Sequence, residues 1–385
     1  MQLDRDGKVT VLLTDGHGFT WSLGRPMFEP TSAIESSTYL PRSAQLRVRT
    51  TRGDDIVVDL PHPDDLAPLR GRPTIYLDQN HWSTIASTLY EPDRAAKINK
   101  EEREAATRLV RLATRREVVL PISGAHIAET CKQVNVERRY LRALTITRLS
   151  AGWQLRDPLS LRGFELRQAL TIRYRQVCLI RPAPITLEPH AIHDGRDMAQ
   201  PNLRDDLPLD AQWAVKSIES IGATIDTMLD ADHVPMTSNP AWALEFEHFA
   251  RFMADNPTGP ELKRQRTHAR FIADMLPELT RETFSVGITP DEMSEWTRYL
   301  SEEDLHNMPS LGLYREIIHE KLSDGRLHWD NNDLFDMLYL TAGAGYCDYV
   351  VGENKHISHI ANGLRRLGRP VKVYRNLRSM IAELC

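Results

Sequence analysis

Four times along this chain an acidic side chain falls where an apolar run gives way to a turn or the start of a helix. In RPTIYLDQNHWSTIA, residues 72–86, the run IYL ends on Asp78. In EVVLPISGAHIAE a second apolar run leads to Ser123, a residue type that caps helices, and Glu129 falls within the first two turns of the helix that follows. In HWDNNDLFDMLYLTAGA, Asn331 or Asn332 can cap a third helix, and Asp333 and Asp336, three apart, share one face of its first turns. In DYVVGENKH, Glu353 follows the buried-strand pattern DYVV. Open parallel α/β sheets form their ligand sites at the carboxyl ends of strands, and these acids fall at such ends or at the helix starts beyond them.

Each acid also has a structural use. Asp78 can cap the helix after it, and Glu129 can be a solvated helix acid. The Gly352-Glu353-Asn354 segment suits a strand-to-helix turn. First-turn acids gain about 0.3 to 1 kcal/mol from the helix dipole, but one acid serves that purpose as well as two. The pair Asp333 and Asp336 therefore asks for more: two carboxylates on one face repel, and a divalent cation between them would offset the repulsion. Oxygen-rich clusters suit Mg²⁺ or Mn²⁺, which lower the pKa of bound water and screen phosphate charge for attack at phosphorus.

The elements that must position these acids alternate strand and helix. TIYL reads as a strand, residues 81–90 and 98–115 as helices, EVVLPI as a strand, and one long helix runs from Ser123 to about Leu149. The same grammar returns with a helix at 333–345, then DYVVG, the helix HISHIANGLRRLG, VKVY and the helix LRSMIAEL. Residues 1–68 form a small β module with two hairpins, around Asp15-Gly16 and Arg52-Gly53. Residues 151–325 read as an all-helical insertion, with segments such as FELRQALTIRYRQV, QWAVKSIESIGATIDTML and WALEFEHFARFMADN. A proline-rich span from Pro182 to Pro208 makes an extended connection within it. The expected order is thus β module, first α/β half at 69–150, helical insertion, and second α/β half at 326–385.

Length and composition set outer limits. A chain of 385 residues suggests two or three units. With 41% hydrophobic and 26% charged residues, and no apolar run near the ~20 needed to span a bilayer, the expectation is a soluble protein with no membrane partner. The N-terminus MQLDRDGKVTV has no apolar leader, which points to the cytoplasm. Cys131, Cys178, Cys347 and Cys385 lie far apart, as reduced thiols do, and support no thiol mechanism. A net charge of -5 argues against coating nucleic acid non-specifically, so any such site is local.

The ordered acids resemble the PIN-like nuclease superfamily over about residues 72–150 and 326–385. IYLDQN is similar to that family's opening strand with its first metal-binding Asp, and SGAHIAE to its second junction with a Glu. DLFDMLYLTAGAGYCDYVVGENKH is similar to its closing helix, strand and acid. The resemblance implies a PIN-like three-layer sandwich around a parallel sheet. It makes Asp78, Glu129 and Asp336 metal ligands, with Asp333 supporting or replacing Asp336. Where the family commonly has Thr followed closely by Asp, this chain has Gly352, Glu353 and Asn354. Either Glu353 supplies the acid or Asn354 stands there as a neutral ligand.

Basic and imidazole groups supply the remaining candidates. His356 and His359 form an HxxH pair, and His81 and His126 lie near strand ends, but no third convincing ligand completes a zinc set. His81, together with Arg138, Arg139 and Arg142 of the long helix, could contact phosphates; Arg148, and Lys263, Arg264, Arg266 and Arg270, are further basic clusters that can equally form internal ion pairs. Tyr140 and Tyr174, set among arginines, could stack bases or be buried. The resulting expectation is a metal-dependent nuclease using Mg²⁺ or Mn²⁺, on RNA ahead of DNA, in RNA processing, toxin-like growth control or phage defence, and open to a regulatory protein partner. The alternative is a PIN-fold scaffold that binds protein or nucleic acid without catalysis.

Overall fold

The structure is a computed structural model that describes residues 1–12, 16–22, 24, 26, 28–61, 65, 67–188, 190–193, 209–230, 240–325, 327, 329–330 and 332–384. The fold is α/β and divides into two compact units, one of Met1–Leu155 with Ile185–Pro235, the other of Arg156–Pro184 with Met236–Cys385. The expected blocks 1–68 and 69–150 thus fall in the first unit, 326–385 in the second, and 151–325 is shared between them. Among the described residues no helix is long and apolar enough to cross a membrane.

The first unit begins with a six-stranded antiparallel sheet in the order Gly18–Ser22, Lys8–Leu12, Gln2–Asp4, Ile34–Leu40, Gln45–Thr50, Asp55–Asp59. Both expected hairpins are present, paired Lys8 to Ser22 and Gln45 to Asp59, although Asp15 of the first turn lies outside the described residues. Leu46, Val48, Ile56 and Val58 are buried while Arg47 and Arg49 between them are exposed, the period-two pattern of a sheet with one covered face. Two helices of the same unit are tied to it. Asp226, on Leu209–Leu229, accepts from the Ser32 hydroxyl and the Ala33 N–H. Tyr140, on Val136–Ser150, shares a hydrogen bond with Thr50 and donates to Asp54.

Beyond it, the strand Ile75–Leu77 is buried throughout, and Thr74 forms a parallel bridge to Val119. EVVLPI contributes only isolated bridges, Thr74 to Val119 and Ile122 to Gln154, rather than a continuous strand. Pro121 within it has no N–H to give a ladder. The long helix expected from Ser123 to about Leu149 is two helices, Gly124–Cys131 and Val136–Ser150. Asn135 stops continuity because its side chain accepts from the Arg138 N–H and so caps a new helix.

The span expected to be all-helical is largely so, with helices that include Pro158–Arg175, Pro240–Asp255, Pro260–Asp274 and Pro309–Ser323. It also holds one antiparallel pair, Gln154–Leu155 with Ile185–Thr186, and most of the proline-rich span lies outside the described residues. In the second unit, Tyr349–Val351 and Val373–Tyr374 pair in parallel on either side of the helix Asn354–Arg366. The helix Asp333–Tyr346 precedes them. It lies close to the start of Pro309–Ser323, since a Cβ on Gly345 would come 2.8 Å from the Pro309 carbonyl carbon.

Glu165, on Pro158–Arg175, holds that start in place. Its carboxylate accepts the Ser310 and Leu311 N–H groups at 2.8 Å each and the Tyr346 hydroxyl at 2.5 Å. Burial pushes its pKa above the ordinary value, against these three donors. It therefore supplies the acceptor that a helix N-terminus otherwise lacks. Glu165→Ala leaves two buried amides and a part-buried hydroxyl unmatched, and urea unfolding is expected to show a stability loss of roughly 2 to 4 kcal/mol. A loss below ~1 kcal/mol would remove this carboxylate from the account of the fold.

Candidate metal centre

Asp78 lies just past the end of Ile75–Leu77, as its position in the sequence suggests, and is half-buried. It is the N-cap of Gln79–Tyr90, accepting from the Gln79 N–H at 2.7 Å. The next side chain, Gln79, donates to Thr130 at 2.9 Å, which ties the end of the strand to the helix carrying Glu129. Glu129 is itself half-exposed and sits 3.3 Å from the Lys132 ammonium.

His126 makes the second tie and was not singled out for it by sequence. Its Nδ1 accepts from the Ser123 N–H at 3.1 Å, and its Nε2 lies 2.6 Å from the Leu77 carbonyl, which assigns the proton to Nε2. Both nitrogens are engaged, so His126 is a clamp and has no lone pair left for a metal. Complete burial lowers its pKa to about 4 from 6.5, outweighing the Leu77 hydrogen bond that favours the proton. A histidine with a lowered folded pKa takes up its proton in the unfolded state first, so its contribution is present at neutral pH and is lost as pH falls below 6.5. Between pH 6.5 and 5 this is expected to remove roughly 2 kcal/mol. His126→Gln should flatten the curve of unfolding free energy against pH by about one proton over that window. An unchanged slope would show that His126 is not the titrating group.

The basic candidates separate. Arg139 is 2% exposed and donates to the carbonyls of Met228, Thr227 and Cys131, which takes it out of the set that could reach a phosphate. Arg138 is exposed and donates to Glu91. Arg142 has its pKa lowered, first by burial and then by the neighbouring Arg94. His81 is buried with its Nδ1 3.9 Å from Glu102. Arg148 is tied to Asp54. In the second basic cluster, Arg264 is engaged with Glu316 and Glu302 and Arg270 with Glu245. Tyr140 is buried, while Tyr174 is half-buried with its hydroxyl donated to the Glu292 carbonyl.

In the second unit, Asp333, Asp336 and His356 form a group whose ligand atoms all lie within 4.8 Å of one another. The helix Asp333–Tyr346 supplies the two acids from its first turn, and Asn354–Arg366 supplies the histidine from its own. His356 Nε2 is 3.2 Å from Asp336. His359 faces away from this group, to Glu320 at 2.8 Å, so the HxxH pair does not converge. Glu353 caps Asn354–Arg366 in position but makes no capping hydrogen bond with its side chain, and Asn354 beside it is exposed.

The two aspartates have different surroundings. Asp336 is half-exposed. Asp333 is 1% exposed and meets the Lys321 ammonium at 2.5 Å and that of Lys355 at 2.9 Å. Burial is the largest single influence and works to raise its pKa, but Lys321, the Asp330 N–H and Lys355 together outweigh it, so the carboxyl is held below its ordinary value. Two carboxylates and one imidazole form a donor set of the kind Mn²⁺ accepts, and one less suited to Mg²⁺. With Asp330 beside Lys355, three carboxylates face two ammoniums, leaving one net negative charge to attract a cation. The donors fit a divalent ion, with Asp333 the most strongly competed for.

Comparison with protein-family models, with curated proteins and with solved structures found no match for this chain.

Proposed function

We propose that this protein is a metal-dependent nuclease that hydrolyses phosphodiester bonds, in RNA ahead of DNA, with its two α/β halves in a PIN-like arrangement. The observation that carries the reading is the convergence of Asp333, Asp336 and His356 at the starts of two helices. Asp336 and His356 would hold Mn²⁺, or Mg²⁺ less tightly, with Asp333 alongside. The resemblance adds Asp78, Glu129 and Glu353 as ligands. A bound divalent ion supplies an acidified water and charge screening at phosphorus.

The chain's own residues do the rest. Asp333 and Asp330 hold Lys355, whose side chain is 42% exposed and whose ammonium would meet a phosphate oxygen and the charge that grows on it during attack. Lys321 fixes Asp333 from beneath, so the carboxylate that positions Lys355 does not swing. Arg138 and Arg142 would bind strand phosphates at the first unit, sequence-independently.

One observation favours a second reading, a scaffold that binds without catalysis: Lys321 and Lys355 already balance Asp333, so this group can be stable with no ion at all. Labelled single-stranded RNA, single-stranded DNA and duplex DNA, each with Mn²⁺, Mg²⁺ or EDTA, separate the two. The expected result is RNA cleavage that Mn²⁺ supports best and EDTA stops. No cleavage of any polymer, with no Mn²⁺ binding by calorimetry at millimolar metal, would sink the nuclease and leave the scaffold.

A further inference from the structure

Away from the acids, Arg42, Arg70, Arg72 and Arg116 of the first unit line a cavity of 790 Å³. Its wall also includes Asp59, Asp65 and Trp153. Asp59 is 3.3 Å from Arg116 and Asp65 is 3.2 Å from Arg70, which uses both carboxylates. Arg42 and Arg72 have no ion pair among the described residues. Arg72 is anchored instead by the Leu69 and Pro68 carbonyls, with its guanidinium 5.1 Å from the centre of the Trp153 ring. Four guanidiniums against two carboxylates leave the cavity two positive charges in excess.

Trp153 provides an independent sign. It is 2% exposed, and its indole N–H has no hydrogen-bond partner among the described residues. A buried donor left unmatched costs about 1 to 3 kcal/mol, so such groups in native proteins call for an acceptor. Burial also lowers the Arg72 pKa, and Arg116 and Arg70 press the same way against Asp59. Arg72 lies near the ring that carries this unmatched donor, and both line the same cavity, a combination that a dianion would complete.

We propose that this cavity binds a phosphorylated small molecule of nucleotide size, through its phosphate oxygens. Guanidinium forks match phosphate oxygens two at a time, and like charges drawn together at Arg72 and Arg116 are relieved by a dianion more than by a single carboxylate. The volume lies in the range of small-molecule sites, which is larger than a lone inorganic ion needs. Arg42, exposed and in no ion pair among the described residues, is the arm that can close on the ligand. The proposal does not depend on the nuclease reading.

The test is titration calorimetry on the full chain in EDTA, so that no metal centre contributes, with pyrophosphate, ATP and inorganic phosphate as probes. Binding of ATP or pyrophosphate in the micromolar range is expected, at least ~10-fold tighter than inorganic phosphate. Equal affinity for the two would assign the site to the phosphate chain, and tighter ATP to a nucleotide. Arg42→Ala and Trp153→Phe are expected to weaken it by about 10-fold each. Arg42→Ala should leave the melting temperature unchanged, which separates ligand loss from misfolding. No heat with any small phosphate at about 5 mM, or binding undiminished in both variants, overturns the proposal. Heat from a single-stranded oligoribonucleotide alone overturns it too, in favour of a nucleic-acid surface.

Discussion

Asp333→Asn is expected to lower the stability of the chain by about 3 to 5 kcal/mol. The substitution keeps the shape of the side chain and removes its charge. Lys355, with 42% of its side chain exposed, can turn to solvent when its partner goes. Lys321 has no such exit: its side chain is 2% exposed and its ammonium lies 4.5 Å from the centre of the Trp329 ring. Its charge would remain buried with its nearest carboxylate gone and the more distant Asp330 acting on it, close to the situation in which breaking an ion pair costs most. Replacing both members, with Lys321→Met and Asp333→Leu together, should recover most of the loss, because two apolar groups of similar size need no compensation. Urea unfolding of the two single variants and the double variant measures this. A loss under ~1 kcal/mol in Asp333→Asn, or a double variant no better than the worse single one, would show that the pair is not what holds these two helices.

Asp78→Asn is expected to reduce metal-dependent cleavage by at least ~100-fold while changing stability by less than about 0.5 kcal/mol. Asparagine still offers an oxygen to the Gln79 N–H, so the cap survives and only the charge is lost. Asp78→Ala removes both and should cost about 1 kcal/mol in addition to the activity. Asp336→Asn tests the Asp333, Asp336 and His356 group of the second unit. Half-exposed and with no ammonium within bonding distance among the described residues, it should also lose at least ~100-fold in cleavage and keep its melting temperature. Cleavage by Asp78→Asn at near wild-type rates would reduce Asp78 to a cap, and the same result for Asp336→Asn would remove the metal centre.

The parts of this structure that sequence conveys are those governed by short-range pattern. Alternation in QLRVRT and DIVVDL specifies two paired strands with one buried face, and the run IYL before Asp78 specifies a strand that ends there. The pair Asp333 and Asp336 is visible from its spacing, and their first-turn placement follows from the capping residues before them. What spacing does not convey is which neighbour each acid meets. Lys321 stands twelve residues from Asp333 on a separate helix, and His356 reaches Asp336 from a helix beyond the next strand. The break in the helix after Ser123 escapes a periodicity reading because Gly124–Cys131 and Val136–Ser150 are both amphipathic and the intervening residues include no proline. Asn135 is the available signal, as an N-cap residue followed by the acidic Glu137. His126 is hidden for a similar reason: it takes the place that Glu or Gln holds in the common capping box.

The order in which segments of the second unit occur along the chain has a bearing on how the gene can be divided. Glu165 belongs to a stretch of 29 residues, Arg156–Pro184, that is separated from the rest of its unit by Ile185–Pro235. An expression fragment that starts at residue 236 would include Pro309–Ser323 but not the carboxylate seated on its first amides, and would also leave the Tyr346 hydroxyl without its acceptor. During synthesis Pro158–Arg175 must likewise wait for more than a hundred residues to emerge before those partners exist. Dissection of this protein therefore requires a circularly rearranged or co-expressed pair of pieces, since no single cut separates the two units intact.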